Sequence, residues 1–311
     1  MWKVGVINAK ARSSIMRSTR PIGLIGLGRL GTAIAHRLID NGLSIEAYDR
    51  DADRRRAFQL KWPKVSVAPT LTDLGMSCGT VISALPDISR LRTAAIGNSD
   101  RPGFAFAMAP GSIIIHFGDG PYKDALRMTG HLGSCGIGLI DVLTCSSQDA
   151  NCNGPIEMLV GGFPELVERV QPVLTAIGPY QWVGATGTAI GLSALRSYVR
   201  AARLIALSEA ILIGRHAGIS PDTLARVFDG PVSTGPECRT LASELPGTVP
   251  HHDLESTYRA VADAVGFSEH IGVSGECVAF ARDMLSDALQ GTDGIDESAL
   301  LRHFAAMTTE T

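Results

Sequence analysis

The chain has 311 residues, 45% of them hydrophobic, and 28 Lys and Arg against 31 Asp and Glu leave a net charge of -3. That length accommodates two domains, and that apolar fraction suffices for full cores, which excludes a chain disordered over most of its length. The small, dispersed charge excludes an electrostatic footprint for nucleic acid or an anionic membrane, and no apolar run reaches the roughly 20 residues of a membrane span.

Residues 1–20 hold Lys3, Lys10, Arg12, Arg17 and Arg20 and no acid. This basic N-terminal extension reads as a mobile arm or an upstream start, with organelle targeting as the alternative. Next comes an apolar strand-like run, Pro21-Ile22-Gly23-Leu24-Ile25, which breaks into Gly26-Leu27-Gly28-Arg29-Leu30-Gly31 and enters a helical pattern at Thr32 that Gly42 closes. Gly26 permits a tight turn, Gly28 keeps side chains off an approaching pyrophosphate, and Gly31 lets helix and strand lie close. The amides and dipole at that helix start would then face phosphates. A second strand, Ser44 to Asp49, ends in an acid about twenty residues past the glycines, where ribose hydroxyls arrive. Asp49 favours NAD, whereas Arg50 and the run Arg54-Arg55-Arg56 suit the ribose phosphate of NADP; a carboxylate repels that phosphate, so NAD is slightly favoured and the three arginines read as a solvated helix face.

Short strands around Val65-Ser66-Val67, Thr80 to Leu85, Ser112 to His116 and Leu139 to Leu143 then alternate with helical stretches, the pattern of a parallel doubly wound sheet. Ligands lie beyond the carboxyl ends of such strands, which puts Leu85-Pro86-Asp87 and Phe117-Gly118-Asp119-Gly120 beside the cofactor. Ile156 to Val160 and Tyr180 to Val183, separated by a helix from Glu165 to Ile177, extend the same sheet. From Thr188 to Ala217 about thirty residues without proline keep a helical period, too long for one small domain to cover, so this helix bridges two. Ser220-Pro221 starts another helix, and further helices read from Asp253, Ser274 and Glu297. The predicted architecture is α/β: a Rossmann-type doubly wound sheet followed by an all-helical C-terminal domain joined by one long helix, with domains at 21–186 and 187–311.

Cys78, Cys135, Cys145, Cys152, Cys238 and Cys277 form no Cys-x-x-Cys pair, which argues against zinc or a disulfide scaffold and for a reducing, cytoplasmic compartment. His251 and His252 are adjacent, so their side chains diverge on a regular element, and no metal is expected.

With this layout the sequence resembles the β-hydroxyacid dehydrogenases, the superfamily of 3-hydroxyisobutyrate and tartronate semialdehyde reductases, with 6-phosphogluconate dehydrogenase and the imine reductases as relatives. Gly26-x-Gly28-x-x-Gly31 fits the cofactor motif, Leu85-Pro86-Asp87 the loop after the fourth strand, and Leu159-Val160-Gly161-Gly162 the end of the substrate-motif segment. His252-Asp253-Leu254 falls where the superfamily writes Lys-Asp-Leu. The resemblance implies an NAD(P)-dependent oxidoreductase acting on a small molecule, assembled as a homodimer whose partner completes the site; exposed apolar positions on the long helix point the same way.

The catalytic positions depart from that pattern. Asp-x-Pro-x-Ser-Gly-Gly lies over Asp141 to Ser147, so Cys145 replaces the substrate-binding serine, or fills apolar space, and Ser146 and Ser147 replace glycines that hold a substrate carboxylate. In the second motif, with its register fixed on Glu209-Ala210, Ser193 stands in place of the catalytic lysine and Arg196 in place of an asparagine. A serine hydroxyl alone cannot supply charge or a proton to a forming alkoxide. Arg196 can stabilise negative charge, His252 is the better proton donor, and Asp253 caps a helix or contacts substrate. An iminium substrate arrives with its own proton, so imine reduction is the alternative to carbonyl or hydroxy chemistry, and a non-catalytic NAD(P)-binding protein is the third reading.

Overall fold

Ile22–Ile25, an Ile-Gly-Leu-Ile run in which every residue is buried, forms the central strand β1 of the computed structural model, which describes residues 20–97, 102–145, 156–228, 253–291 and 298–309. Around it lie β2 (Ile45–Tyr48), β3 (Ser66–Val67), β4 (Thr80–Ser83), β5 (Ile113–His116), β6 (Gly138–Thr144), β7 (Met158–Gly161) and β8 (Tyr180–Gly184). They form one sheet in the order β3-β2-β1-β4-β5-β6-β7-β8. Pairing is parallel from β3 to β6; β7 runs antiparallel to β6, and β8 parallel to β7. The reversal of strand order at β1 opens a crevice at the carboxyl ends of β1 and β4, where such sheets bind ligands.

Six helices cover the sheet: α1 (Arg29–Asp40), α2 (Ala52–Lys61), α3 (Leu71–Ser77), α4 (Ile88–Ala95), α5 (Tyr122–Ser134) and α6 (Pro164–Ile177). A strand covered on both faces must be apolar throughout, since consecutive side chains point opposite ways. In β5, Ile113 and Ile115 join the core with Ile34 and Leu38 of α1 and Leu174 of α6, while Ile114 joins Leu91 of α4 and Met128 of α5. Each such side chain contributes about 1.5–3 kcal/mol by leaving water.

The helix expected to start at Thr32 starts at Arg29, directly after Gly28. Gly28 carbonyl oxygen already accepts the Thr32 N–H at 2.9 Å, so the turn that reads as loop because of Gly31 is the first helical turn. At the other end Gly42, at φ +76°, donates to Ile39, and Leu43 N–H reaches Leu38, closing α1.

The long helix α7 (Thr188–His216) has 29 residues, roughly 40 Å of rise. The chain divides into two compact units between Ser193 and Ala194, inside this helix. The second unit contains the rest of α7 with α8 (Pro221–Phe228), α9 (Leu254–His270), α10 (Glu276–Gly291) and α11 (Ser298–Thr309). Its own core includes Leu204, Leu254, Val261, Leu285 and Leu300, and Arg200 of α7 donates to Thr257 Oγ1 of α9 at 2.8 Å. Beyond Gly184 the described residues contain no strand.

Candidate active site

Gly26 ends β1 at φ +93°, a conformation open to glycine, and an added Cβ would sit 2.8 Å from the Ala84 carbonyl oxygen. Its N–H bonds the Tyr48 carbonyl at 2.9 Å, which fixes the turn over β2. At Gly31 a Cβ would lie 1.8 Å from the Gly26 carbonyl oxygen, so α1 rests on the strand at backbone contact. Gly28 differs: a Cβ there would meet nothing nearer than the Arg54 guanidinium at 3.9 Å. Gly28 is also the N-cap of α1 and supplies no side-chain cap. The result is an open cradle over a helix N-terminus, shaped for a pyrophosphate.

Asp49, just past β2, is buried. Its Oδ2 accepts the Leu27 N–H at 2.7 Å and its Oδ1 the Asp51 N–H at 2.9 Å, so the acid is fastened to the glycine loop itself. The arginine run is more than a solvated face. Arg54 Nη1 lies 3.8 Å from Asp49 Oδ2, and Arg55 donates to the Asp49 carbonyl at 2.5 Å and covers the Tyr48 ring at 5.6 Å; Arg56 alone stays fully outward, paired with Asp53. The Asp49 carboxylate attracts the Arg54 guanidinium, and the Asp49 carbonyl with the Tyr48 ring holds Arg55, tertiary contacts that helical spacing does not reveal. Arg29 and Arg50 are exposed beside this loop, and Leu30 packs partly on the core.

The rim continues across the next strands. Leu85 and Pro86 follow β4, and Asp119, after β5, donates its N–H to the Pro86 carbonyl at 3.1 Å and accepts from Ile88 N–H at 2.8 Å. Asp119 side chain is exposed and its Oδ1 accepts the hydroxyl of buried Ser193 at 2.5 Å. Ser193 is thereby brought to the carboxyl end of β5, beside the loops that flank the glycine cradle.

Asp141 of β6 holds the start of α7. Fully buried, it accepts from the Gly187 and Ile190 amides at 2.8 and 2.9 Å, the position in which a carboxylate best opposes a helix dipole. Burial pushes its acid above the ordinary range, and those two amides pull the other way. Its neighbour in register, His116, is fully buried, with Nδ1 3.1 Å from Ser83 Oγ and no partner on Nε2; burial lowers it to about 4.

Cys145 follows β6, half-buried, with its N–H on the Glu157 carbonyl. Arg196 is exposed one turn beyond Ser193 on α7, in the second unit. Asp253 caps α9, accepting from Glu255 N–H at 3.3 Å and from Ser256 Oγ at 3.1 Å. His252, Ser146 and Ser147 lie outside the described residues. Spacing put the Asp119 loop beside the cofactor and opened the substrate motif at Asp141, but nothing in it showed that Asp119 meets Ser193 or that Asp141 holds the start of α7.

No group of three or more potential metal ligands occurs among the described residues, and no described helix is long and apolar enough to cross a membrane. The sheet, the glycine cradle and the buried acid define a Rossmann-type dinucleotide-binding protein. Residues 21–187 match the family described as the NAD binding domain of 6-phosphogluconate dehydrogenase. The chain belongs to that family, within the β-hydroxyacid dehydrogenase superfamily. It is 24% identical to the L-threonate dehydrogenase of Cupriavidus necator over 212 residues, 68% of this chain and 70% of that one. In fold it is similar to a 3-hydroxyisobutyrate dehydrogenase from Salmonella typhimurium, with TM-score 0.73 and 16% identity over 91% of this chain and 99% of the other. An imine reductase from Aspergillus terreus has TM-score 0.53 and 20% identity over 91% and 98%.

Proposed function

We propose that the protein moves hydride between NAD and a small hydroxy compound or its carbonyl counterpart. It is an NAD(P)-dependent oxidoreductase of its superfamily. The observation that carries the reading is the cradle at Gly28, where neither a side chain nor a cap fills the space over the α1 N-terminus. Bound there, a nicotinamide dinucleotide supplies the hydride donor or acceptor. Gly26, Leu27, Gly28, Arg29, Leu30 and Gly31 would hold its pyrophosphate, Leu85 and Pro86 flank it, and Asp49 with Arg50 would meet the adenosine ribose. The preference for NAD rests on Asp49: a ribose phosphate beside this buried carboxylate suffers repulsion that Arg54, largely exposed, screens only in part.

For the substrate end we assign Ser193 to the reaction side of the first unit and keep Arg196, Asp253, His252 and Cys145 as candidate substrate contacts. A homodimer is proposed too, supported by the exposure of Val199 and Ile213 on α7 and to be checked by light scattering. A reducing, cytoplasmic setting is proposed as well, on the scattered cysteine spacing without a Cys-x-x-Cys pair.

The test is a screen of purified protein with NAD and NADP, oxidising 3-hydroxyisobutyrate and L-threonate and reducing matched aldehydes and cyclic imines. Cofactor-dependent turnover of hydroxy acids or aldehydes, faster with NAD, is expected. Reduction of imines alone would replace the reading by imine reduction, and binding without any turnover by a non-catalytic role.

A further inference from the structure

We propose that Asp119 is the group that takes the proton from the substrate hydroxyl, held in place by Ser193; this rests on the hydroxy-compound reading above. Alcohol oxidation needs a base at the reacting carbon, and the lysine expected at position 193 by resemblance is a serine. Five carboxylates, Asp49, Asp51, Asp87, Asp119 and Asp141, stand on the strands and loops around the cradle. Asp49 is engaged with Leu27 and Asp51, Asp51 caps α2 through the Asp53 and Arg54 amides and pairs with the Arg54 guanidinium, Asp87 caps α4 through the Arg90 N–H at 2.7 Å, and Asp141 is buried on Gly187 and Ile190. Asp119 is exposed and caps no helix; its Oδ2 has no protein partner among the described residues, while Oδ1 is fixed by the Ser193 hydroxyl.

Three fastenings orient it: the Ser193 hydrogen bond, its N–H on Pro86 and its carbonyl on Ile88 N–H. Gly118 beside it stands where a Cβ would come within 2.5 Å of the Leu85 carbonyl, so the β5 loop is pressed against the β4 loop, which in turn touches Gly26 and Gly31 through Ala84. A continuous rim therefore links the cradle to Asp119 within the first unit. A bound nicotinamide would supply the hydride acceptor for the substrate C–H, and Asp119 Oδ2 would take the O–H proton as the carbon–oxygen single bond becomes a carbonyl. Reduction reverses both transfers, and the exposed carboxyl exchanges its proton with water.

The test compares wild type, Asp119→Asn, Ser193→Ala and Ser193→Thr. With 3-hydroxyisobutyrate and L-threonate, Asp119→Asn should lower kcat about 100-fold or more. Ser193→Ala should lower kcat about tenfold with KM nearly unchanged, and Ser193→Thr, which keeps the hydroxyl, should recover most of it. A second measurement needs no substrate: a carboxylate near the nicotinamide favours the positively charged oxidised ring, so Asp119→Asn should weaken NAD+ binding about three- to tenfold and leave NADH within about twofold. An unchanged kcat in Asp119→Asn, or equal loss of both cofactor affinities, overturns the proposal. If wild type oxidises neither acid, the cofactor ratio decides alone. Wild type that binds no dinucleotide overturns the functional reading instead.

Discussion

Replacing Asp141 with alanine strips two buried amides, those of Gly187 and Ile190, of their acceptor at the start of α7. A buried donor left without a partner costs about 1–3 kcal/mol, so two cost about 2–6 kcal/mol. The variant also no longer buries a carboxylate, which places the net loss in the lower half, about 2–4 kcal/mol. For a domain of this size each kcal/mol lowers Tm by about 2–4 °C, giving a fall of about 5–15 °C. Because burial raises the folded-state acid of Asp141, its contribution is complete below the ordinary value of 3.8 and shrinks as pH rises through the folded value. The deficit of Asp141→Ala is therefore larger at acid pH than at neutrality. Circular dichroism melts at two pH values give the Tm, and hydrogen exchange at residues 187–190 locates the damage in the first turn of α7. A Tm within 1 °C of wild type, together with unchanged exchange there, would refute the reasoning.

Asp49→Asn removes the charge that opposes a ribose phosphate while leaving Arg50 and Arg54, so the ratio of NADPH to NADH affinity should rise about tenfold, measured by calorimetry; an unchanged ratio assigns selectivity elsewhere. His116, held neutral at about 4 against its ordinary 6.5, favours unfolding as acid protonates the unfolded chain first. Wild type should therefore lose about 3 kcal/mol from this group between pH 6.5 and 4, and His116→Leu should flatten that part of the stability profile in urea titrations. An identical slope in the two proteins counts against a neutral buried imidazole.

The cofactor end of the fold was legible because glycine spacing encodes backbone sterics directly. Gly26 takes the positive φ of a tight turn, Gly31 lets α1 rest on the strand, and Asp49 directly follows β2, as their spacing implies. Strand identities followed from unbroken apolar runs, and the single antiparallel pairing of β7 with β6 did not, because an apolar run carries no direction. The start of α1 was misplaced by three residues since Gly31 reads locally as loop; only its contact with Gly26 explains a glycine in a first turn. Arg54 lies on the surface as its spacing implies, but its contact with Asp49, and that of Arg55 with the Asp49 carbonyl, depend on a neighbouring strand end that the helical period does not encode. Ser193 was visible as a departure from the lysine, but its partner Asp119 is 74 residues away, and only the sheet topology brings them together.

The central claim is that the loop from Gly26 to Gly31 and Asp49 hold a nicotinamide dinucleotide. Titration of the purified protein with NADH, followed by calorimetry beside Gly31→Ala, addresses it most directly. An alanine Cβ would lie 1.8 Å from the Gly26 carbonyl and must push α1 off the strand. Wild type should bind NADH saturably at one site, with affinity on the order of micromolar, and Gly31→Ala should lose at least about tenfold. Folded wild-type protein that binds neither NADH nor NADPH, or a Gly31→Ala variant that binds as tightly as wild type, would contradict it.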